Sequence, residues 1–324
     1  VKQKVWRIEN MWTLSSEQFC LLAVGASLLS AGCESSFSDM PMDAEQSAEG
    51  LVIRSTEGDW REVEERIKEA YAQELNELPM GELVVKIGLT FLGTPYAPQT
   101  LDPRGEEELV VELEELDCVT FVETVLALAG VVHGLEFESY SRMSNEEIRG
   151  AYAKELEALR YRAGHLNGYA SRLHYFSDWV KDNAALGLVE EVFTTYPAIL
   201  DNEPVNFMTS HPEAYWQLRE DEELLVEIKK TEIALSRRER FYVPQQSLYQ
   251  VEPELRPGDI VAATSSVEGL DVAHTGLAIR KDDRIHLLHA PLVGGVVQIS
   301  EQPLTERILD KTAQDGVMVA RPLG

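Results

Sequence analysis

Leu116-Asp117-Cys118-Val119-Thr120-Phe121-Val122-Glu123 is the stretch around which the other parts of the chain arrange themselves. Beyond it, Val119, Val122, Val125 with Leu126, Ala129 and Val132 recur at steps of three and four as far as Gly134. That is the period of a helix with an apolar face. The sequence therefore predicts a helix starting at or beside Cys118. A thiol in that position meets the positive end of the helix macrodipole and the first-turn N–H groups. Both favour thiolate, the nucleophilic form. The ordinary alternative for a lone cysteine is a small buried apolar side chain.

The other two cysteines have a different setting. Cys20 lies within the apolar run Phe19 to Leu29, and Cys33 closes it in Leu29-Ser30-Ala31-Gly32-Cys33. With Lys2, Lys4 and Arg7 ahead of the run, residues 1–33 read as a lipoprotein-type export signal in which Cys33 is lipidated. Ser30 stands where such a motif usually has an aliphatic residue. Ordinary secretion with cleavage nearby is the alternative. The run is short and rich in small residues for a spanning helix, and no later segment is apolar enough to cross a bilayer. In an exported chain, Cys118 then has no internal partner for a disulfide.

The net charge is −27. Residues 1–33 contribute +1 (Lys2, Lys4 and Arg7 against Glu9 and Glu17), so the remainder carries −28 and nucleic acid is excluded as a natural partner. Residues 34–56 are rich in Ser, Asp, Glu and Ala and read as a flexible acidic linker, leaving 57–324 as the catalytic domain. Within it, helices are expected over 57–78, capped by Thr56, and over 81–92, ending at Gly93-Thr94-Pro95. Ser144-Asn145-Glu146-Glu147 opens another helix, Ser171 to Leu186 is helical, and Ser210-His211-Pro212-Glu213 opens a long one to about Arg238. Glu108 to Leu113 has strand content. The character then changes. Gly258–Thr264, His274–Arg280, Ile285–Ala290, Gly295–Ser300 and Val317–Arg321 are short, β-rich and divided by turn residues. Helices first and strands last predict an α+β fold with an antiparallel sheet, and 144–250 reads as a helical insertion or small subdomain.

Two late histidines complete a possible site. If Asp282-Asp283 is a two-residue hairpin loop, Lys281 faces Arg284, Gly276 faces His289 and His274 faces Pro291. His274 and His289 then lie diagonally on one face, and His286 points to the other. A catalytic cysteine needs a histidine to take and return its proton, and that histidine needs a polar partner to fix its tautomer. Cys118, His274 and His289 suit those roles in that order. A zinc site from the same three residues is the competing chemistry.

At these residues the chain resembles the NlpC-like cell-wall peptidases, a papain-like superfamily of cysteine enzymes. Leu92-Gly93-Thr94-Pro95-Tyr96 resembles the segment that supplies its active-site tyrosine, Asp117-Cys118 its nucleophile, and His274 to Ile279 with His289-Ala290 its two histidine strands. Leu116 to Ala129, Ser171 to Trp179 and Gly269 to Gly276 are more similar still to the N-acetylmuramoyl-L-alanine amidase-like branch, long catalogued as a domain of unknown function. The resemblance covers about residues 80–324. Val119-Thr120 replaces the Ser-Gly that usually follows Asp-Cys in the superfamily, and Pro291-Leu292 replaces small polar residues after His289-Ala290.

The resemblance implies a papain-like NlpC-type fold with the Cys118 helix packed on the histidine-bearing sheet. It also implies cleavage of the amide between the lactyl group of N-acetylmuramic acid and L-alanine, in peptidoglycan or muropeptides. The same triad would serve an endopeptidase cutting between D-glutamate and the diamino acid of the stem peptide, and a wall-binding lipoprotein without activity is the non-enzymatic alternative. No cofactor is required. The protein is expected to be exported and lipid-anchored in the bacterial envelope, on the periplasmic side, touching membrane through the lipid alone. Tyr96 is expected as an oxyanion donor or a turn aromatic, and Asp117 as helix N-cap or substrate contact. Arg172 and Trp179, seven apart on one expected helix, suit a stem-peptide carboxylate and a sugar ring, or equally a salt bridge and a core aromatic. Asp271 either orients a histidine or begins a strand.

Overall fold

The computed structural model describes residues 43–46, 51–195 and 197–324. Residues 1–33, where an export signal is expected, lie outside the described residues together with Cys20 and Cys33. In chain order the main elements are β1 (Asp43–Gln46), β2 (Val52–Ser55), α1 (Glu57–Ala72), α2 (Met80–Leu89), β3 (Leu109–Val110), α3 (Cys118–Gly134), α4 (Asn145–Arg160) and α5 (Phe176–Ala185). There follow β4 (Val189–Glu191), β5 (Ile199–Asp201), α6 (Glu222–Arg237), β6 (Arg240–Pro244), β7 (Ile260–Ser265), β8 (Val272–Lys281), β9 (Arg284–His289), β10 (Gln298–Ile299), α7 (Leu304–Leu309) and β11 (Gln314–Pro322). Helices therefore precede an antiparallel sheet, as the sequence predicts. No helix among the described residues is long and apolar enough to cross a membrane.

The sheet has eight strands, seven in the order β10-β9-β8-β7-β11-β6-β5, with β4 added on β11. Toward one edge lies the β8–β9 hairpin, in which Lys281 pairs with Arg284 and Leu277 with Leu288. Asp282 and Asp283 form the loop with φ of 50° and 61°. Left-handed backbone at both positions gives the turn whose twist matches the strands it joins. One residue further along the ladder, a Cβ on Gly276 would lie 2.8 Å from the Cβ of His289, so only glycine lets the strands close at that point. On the other side of β8, the pairing with β7 shifts between Ala263 and Thr264, leaving Ala273 as the extra residue of a bulge beside His274.

α3 is the central helix. α1, α2 and α4 pack around it, and β8 covers another side. That explains why Thr120 to Ala129 are all buried and why its apolar pattern runs nearly all round. α1 begins at a capping box of Thr56 and Asp59, and α4 at one of Ser144 and Glu147, both at positions legible in the sequence.

Three boundaries differ from expectation. Val52–Ser55 is a strand beside β3, with Ile53 and Ser55 buried, so the folded unit reaches back into the expected linker 34–56. Ser210 does not open the long helix. His211, Tyr215 and Asp221 are non-helical, and α6 starts only at Glu222, capped by Asp221. The expected insertion 144–250 is also narrower than predicted. Ile148, Tyr152, Leu156 and Trp179 belong to the main core, and β4 and β6 join the main sheet. A separate small cluster forms from Tyr169, Tyr175, Val205, Met208, Leu218, Ile228 and Leu235.

Candidate active site at the start of the Cys118 helix

Asp117 is the N-cap of α3. Its Oδ1 accepts from Val119 N at 2.9 Å and Thr120 N at 2.8 Å, while Thr120 Oγ1 accepts from Asp117 N at 2.8 Å. The capping carboxylate is thus directed into the helix start, and it uses the amides of residues 119 and 120 rather than that of Cys118. Burial raises the Asp117 carboxyl against the opposing pull of these hydrogen bonds. Cys118 itself is the first residue of the helix, is half-buried, and lines a cleft of about 300 Å³.

The histidines meet on the sheet next to this helix. His274 Nε2 lies 2.7 Å from His289 Nδ1, with the rings nearly perpendicular at 81°. One facing nitrogen must carry the proton and the other a lone pair, so two imidazolium rings cannot share this bond. Nδ1 is left as the nitrogen with which His274 can serve another group. His289 is buried, and its Nε2 has no hydrogen-bond partner among the described residues. Burial, reinforced by Arg307 and Lys311, pushes His274 down to about 3, and burial and His274 push His289 well below its ordinary value. Burial thus favours the neutral form of both rings. His286 turns the other way, its Nδ1 2.8 Å from the Ser300 carbonyl oxygen. Among the described residues no group of three or more His, Cys, Asp or Glu stands where it could hold a metal ion.

The cleft draws on separated parts of the chain. Tyr96 lines it and is held by the zipping of 93–96 onto 295–297: Gly93 N donates to Val297 O at 2.9 Å, Val297 N to Thr94 O at 2.8 Å and Tyr96 N to Gly295 O at 2.8 Å. Leu116 N donates to Pro95 O at 3.0 Å, which ties the same segment to the turn entering Cys118. Val272 and Ala273, immediately before His274, line the cleft, as does Leu292 beyond β9. In its floor Arg160 Nε meets Glu123 Oε2 at 2.7 Å, both side chains 3% exposed. Tyr169, Phe207 and Tyr215, from the small cluster, line it as well.

A family model for N-acetylmuramoyl-L-alanine amidase-like proteins matches residues 86–317, which takes in the cysteine helix, both histidine strands and the cleft. The chain belongs to the N-acetylmuramoyl-L-alanine amidase-like family. An N-acetylmuramoyl-L-alanine amidase from Bacteroides uniformis is 34% identical, with a TM-score of 0.67, over 76% of this chain and 99% of its own. A Bacteroides fragilis protein carrying a proposed xylanase designation is 36% identical over 72% of this chain and 98% of its own, with a TM-score of 0.64. A Legionella pneumophila protein, 18% identical with a TM-score of 0.58, covers 82% of this chain and 96% of its own and shares the fold. No match was found among curated proteins.

Within this family member, three residues expected at the site have other work. Trp179 is completely buried, stacks on Phe176 at 4.9 Å and donates from Nε1 to Glu123 at 3.2 Å. A sugar ring has no access to it. Arg172 does line the cleft, but in extended chain before α5, so the seven-residue helical spacing to Trp179 does not apply. Its guanidinium is committed to Leu101 O and Asp102 Oδ1, both at 2.5 Å, with Glu107 Oε1 at 3.5 Å. Asp271 bonds to no histidine. It accepts from Ser177 N at 2.7 Å and Val272 N at 2.8 Å, joining the first turn of α5 to the start of β8.

Residues that sequence reasoning passed over also line the cleft, among them Asp102, His174, Tyr169 and Tyr215. Asp102 is the hub of one wall, accepting from Arg172 and from Gln217 Nε2 at 2.9 Å, while its carbonyl accepts from Trp216 Nε1 at 3.2 Å. The only hint was that His174 sits inside the Ser171 to Trp179 block shared with the family.

Proposed function

We propose that this chain is a cysteine-dependent amidase that hydrolyses the bond between N-acetylmuramic acid and L-alanine in peptidoglycan or muropeptides, on a papain-like NlpC-type fold. The supporting observation is the His274–His289 bond at 2.7 Å on a strand packed against the helix whose first residue is Cys118. Membership of an amidase-like family supports the choice of scissile bond.

In this mechanism Cys118 Sγ attacks the lactyl carbonyl carbon while its proton passes to His274 Nδ1. Burial makes His274 a weak base in isolation, but the thiolate formed by the same transfer offsets the new imidazolium charge. His274 Nε2–H then donates to His289 Nδ1, which keeps the ring oriented. The oxyanion is held by the Cys118 N–H at the helix start, with Tyr96 as a second donor. His274 gives its proton to the departing L-alanine amine, leaving an acyl-thioester. Water attacks that thioester as His274 takes its proton, releasing the lactyl carboxylate and restoring the thiol. No cofactor enters the sequence. Lipidation at Cys33 holds the enzyme to the membrane on the periplasmic side, and the intact mass of the exported protein tests for a diacylglyceryl group there.

The experiment is mass spectrometry of defined muropeptides incubated with the mature protein and with Cys118→Ala. A free peptide beginning at L-alanine, together with peptide-free sugar, is expected from the wild type and lost by roughly a thousandfold or more in the variant. A cut inside the stem peptide would replace the amidase by the D-glutamyl endopeptidase. Absence of any product would leave a wall-binding lipoprotein.

A further inference from the structure

The cleft contains no uncompensated cation among the described residues. Arg160 is paired with Glu123, and Arg172 with Asp102 and Glu107. A stem-peptide carboxylate therefore finds little attraction on these walls, whereas a neutral hydrogen-bond donor finds acceptors. His174 is the best defined of them. It lines the cleft, and its Nε2 lies 2.9 Å from the Tyr169 carbonyl oxygen. A carbonyl only accepts, so Nε2 carries the proton and Nδ1 is left as a bare lone pair. With Nε2 taken by the Tyr169 carbonyl, Nδ1 is the ring nitrogen that remains to accept from a ligand. The ring is held in place by Tyr169, whose centroid is 4.3 Å away. Burial and the Arg172 charge push His174 down to about 3, which keeps this tautomer neutral across physiological pH.

We infer that His174 is a specificity residue whose Nδ1 accepts a hydrogen bond from a hydroxyl or amide N–H of the uncharged N-acylated sugar, placing the muramoyl moiety against Tyr169 and His174 in the cleft that Cys118 also lines. This rests on the amidase assignment for the identity of the sugar, but its own basis is the fixed lone pair in the cleft. A site built around such an acceptor discriminates against ligands that lack the donor, because the lone pair is then desolvated without a partner.

The test compares kcat/KM for an N-acetylmuramoyl-L-alanyl peptide and for the D-lactoyl-L-alanyl peptide of the same stem, which lacks the sugar. Gln at position 174 carries an amide that reaches toward Tyr169 O but offers no acceptor at the Nδ1 position. His174→Gln should lower the ratio of the two kcat/KM values by about tenfold, mainly through KM of the muramoyl substrate. His174→Asn, with its oxygen near the Nδ1 position, should recover part of that ratio. An unchanged ratio in His174→Gln overturns the inference.

A second measurement leaves His174 intact. In nitrogen-15-labelled Cys118→Ala protein, the Nδ1 resonance of His174 should shift on adding the muramoyl peptide and stay in place with the lactoyl peptide. No shift with the muramoyl peptide overturns the inference even if His174→Gln does not fold. If the wild type cleaves neither substrate yet the Nδ1 shift is seen, the amidase assignment falls and the sugar contact stands.

Discussion

The β8–β9 hairpin and the segment from Ser171 to Trp179 both carry a suggestive residue spacing, and it corresponds to a shared face only in the hairpin. In the hairpin, a two-residue Asp-Asp loop sets the pairing, and His274 and His289 meet as the period of a strand requires. In the other segment, the seven-residue interval between Arg172 and Trp179 suggested one face of one helix. The helix starts only at Phe176, so one side chain is in the cleft wall and the other in the core. Spacing is informative only after the element boundaries are known. A turn with special backbone demands marks its boundary in sequence, whereas α5 has no side-chain hydrogen bond from its own N-cap, Tyr175, and borrows Asp271 from a strand remote in sequence.

Trp179→Ala gives the largest effect with which to challenge this contrast. Loss of the buried indole and its bond to Glu123 should cost about 3–5 kcal/mol in chemical denaturation. A raised KM without loss of stability would return Trp179 to the substrate side. Next comes Gly276→Ala, where the added Cβ meets His289 Cβ and Leu288 O, each at 2.8 Å. It should cost about 1–3 kcal/mol and lower kcat by disturbing the imidazole pair. Unaltered kcat would show that the hairpin tolerates a wider spacing than the histidine roles allow.

Acid provides the gentlest probe. His274 is held at about 3 in the folded protein, below its unfolded value near 6.5, so the unfolded state binds the proton first. Stability contributed by the neutral ring is complete above about 6.5 and should decline as pH falls toward about 3. His289 acts in the same direction. His274→Gln, which has no titrating ring, should flatten the slope of unfolding free energy against pH in that window. An unchanged slope would mean that the pair is not held neutral by the fold.

The charged network around the cleft shows where sequence legibility stops. Arg160 and Glu123 are 37 residues apart and Arg172 reaches Asp102 across 70, yet the first pair closes in a buried site and the second in a partly buried one beside the cleft. No local period links such positions. Breaking one member would leave its partner buried and unpaired, so these side chains bear on the integrity of the cleft as well as on its charge.

By itself the sequence determined the helix that begins at Cys118, its Asp117 cap, the succession of helices and antiparallel strands, and the register that joins His274 to His289. These depend on short-range backbone preferences: capping, apolar periodicity and the left-handed turn at Asp282-Asp283. Tertiary structure alone decided that Trp179 is core, that Arg172 is neutralised, that Asp271 anchors α5, and that His174 lines the cleft with its Nε2 against the Tyr169 carbonyl. Each of those outcomes depends on what long-range packing brings alongside a side chain, and burial and hydrogen-bond partners are properties of that packing.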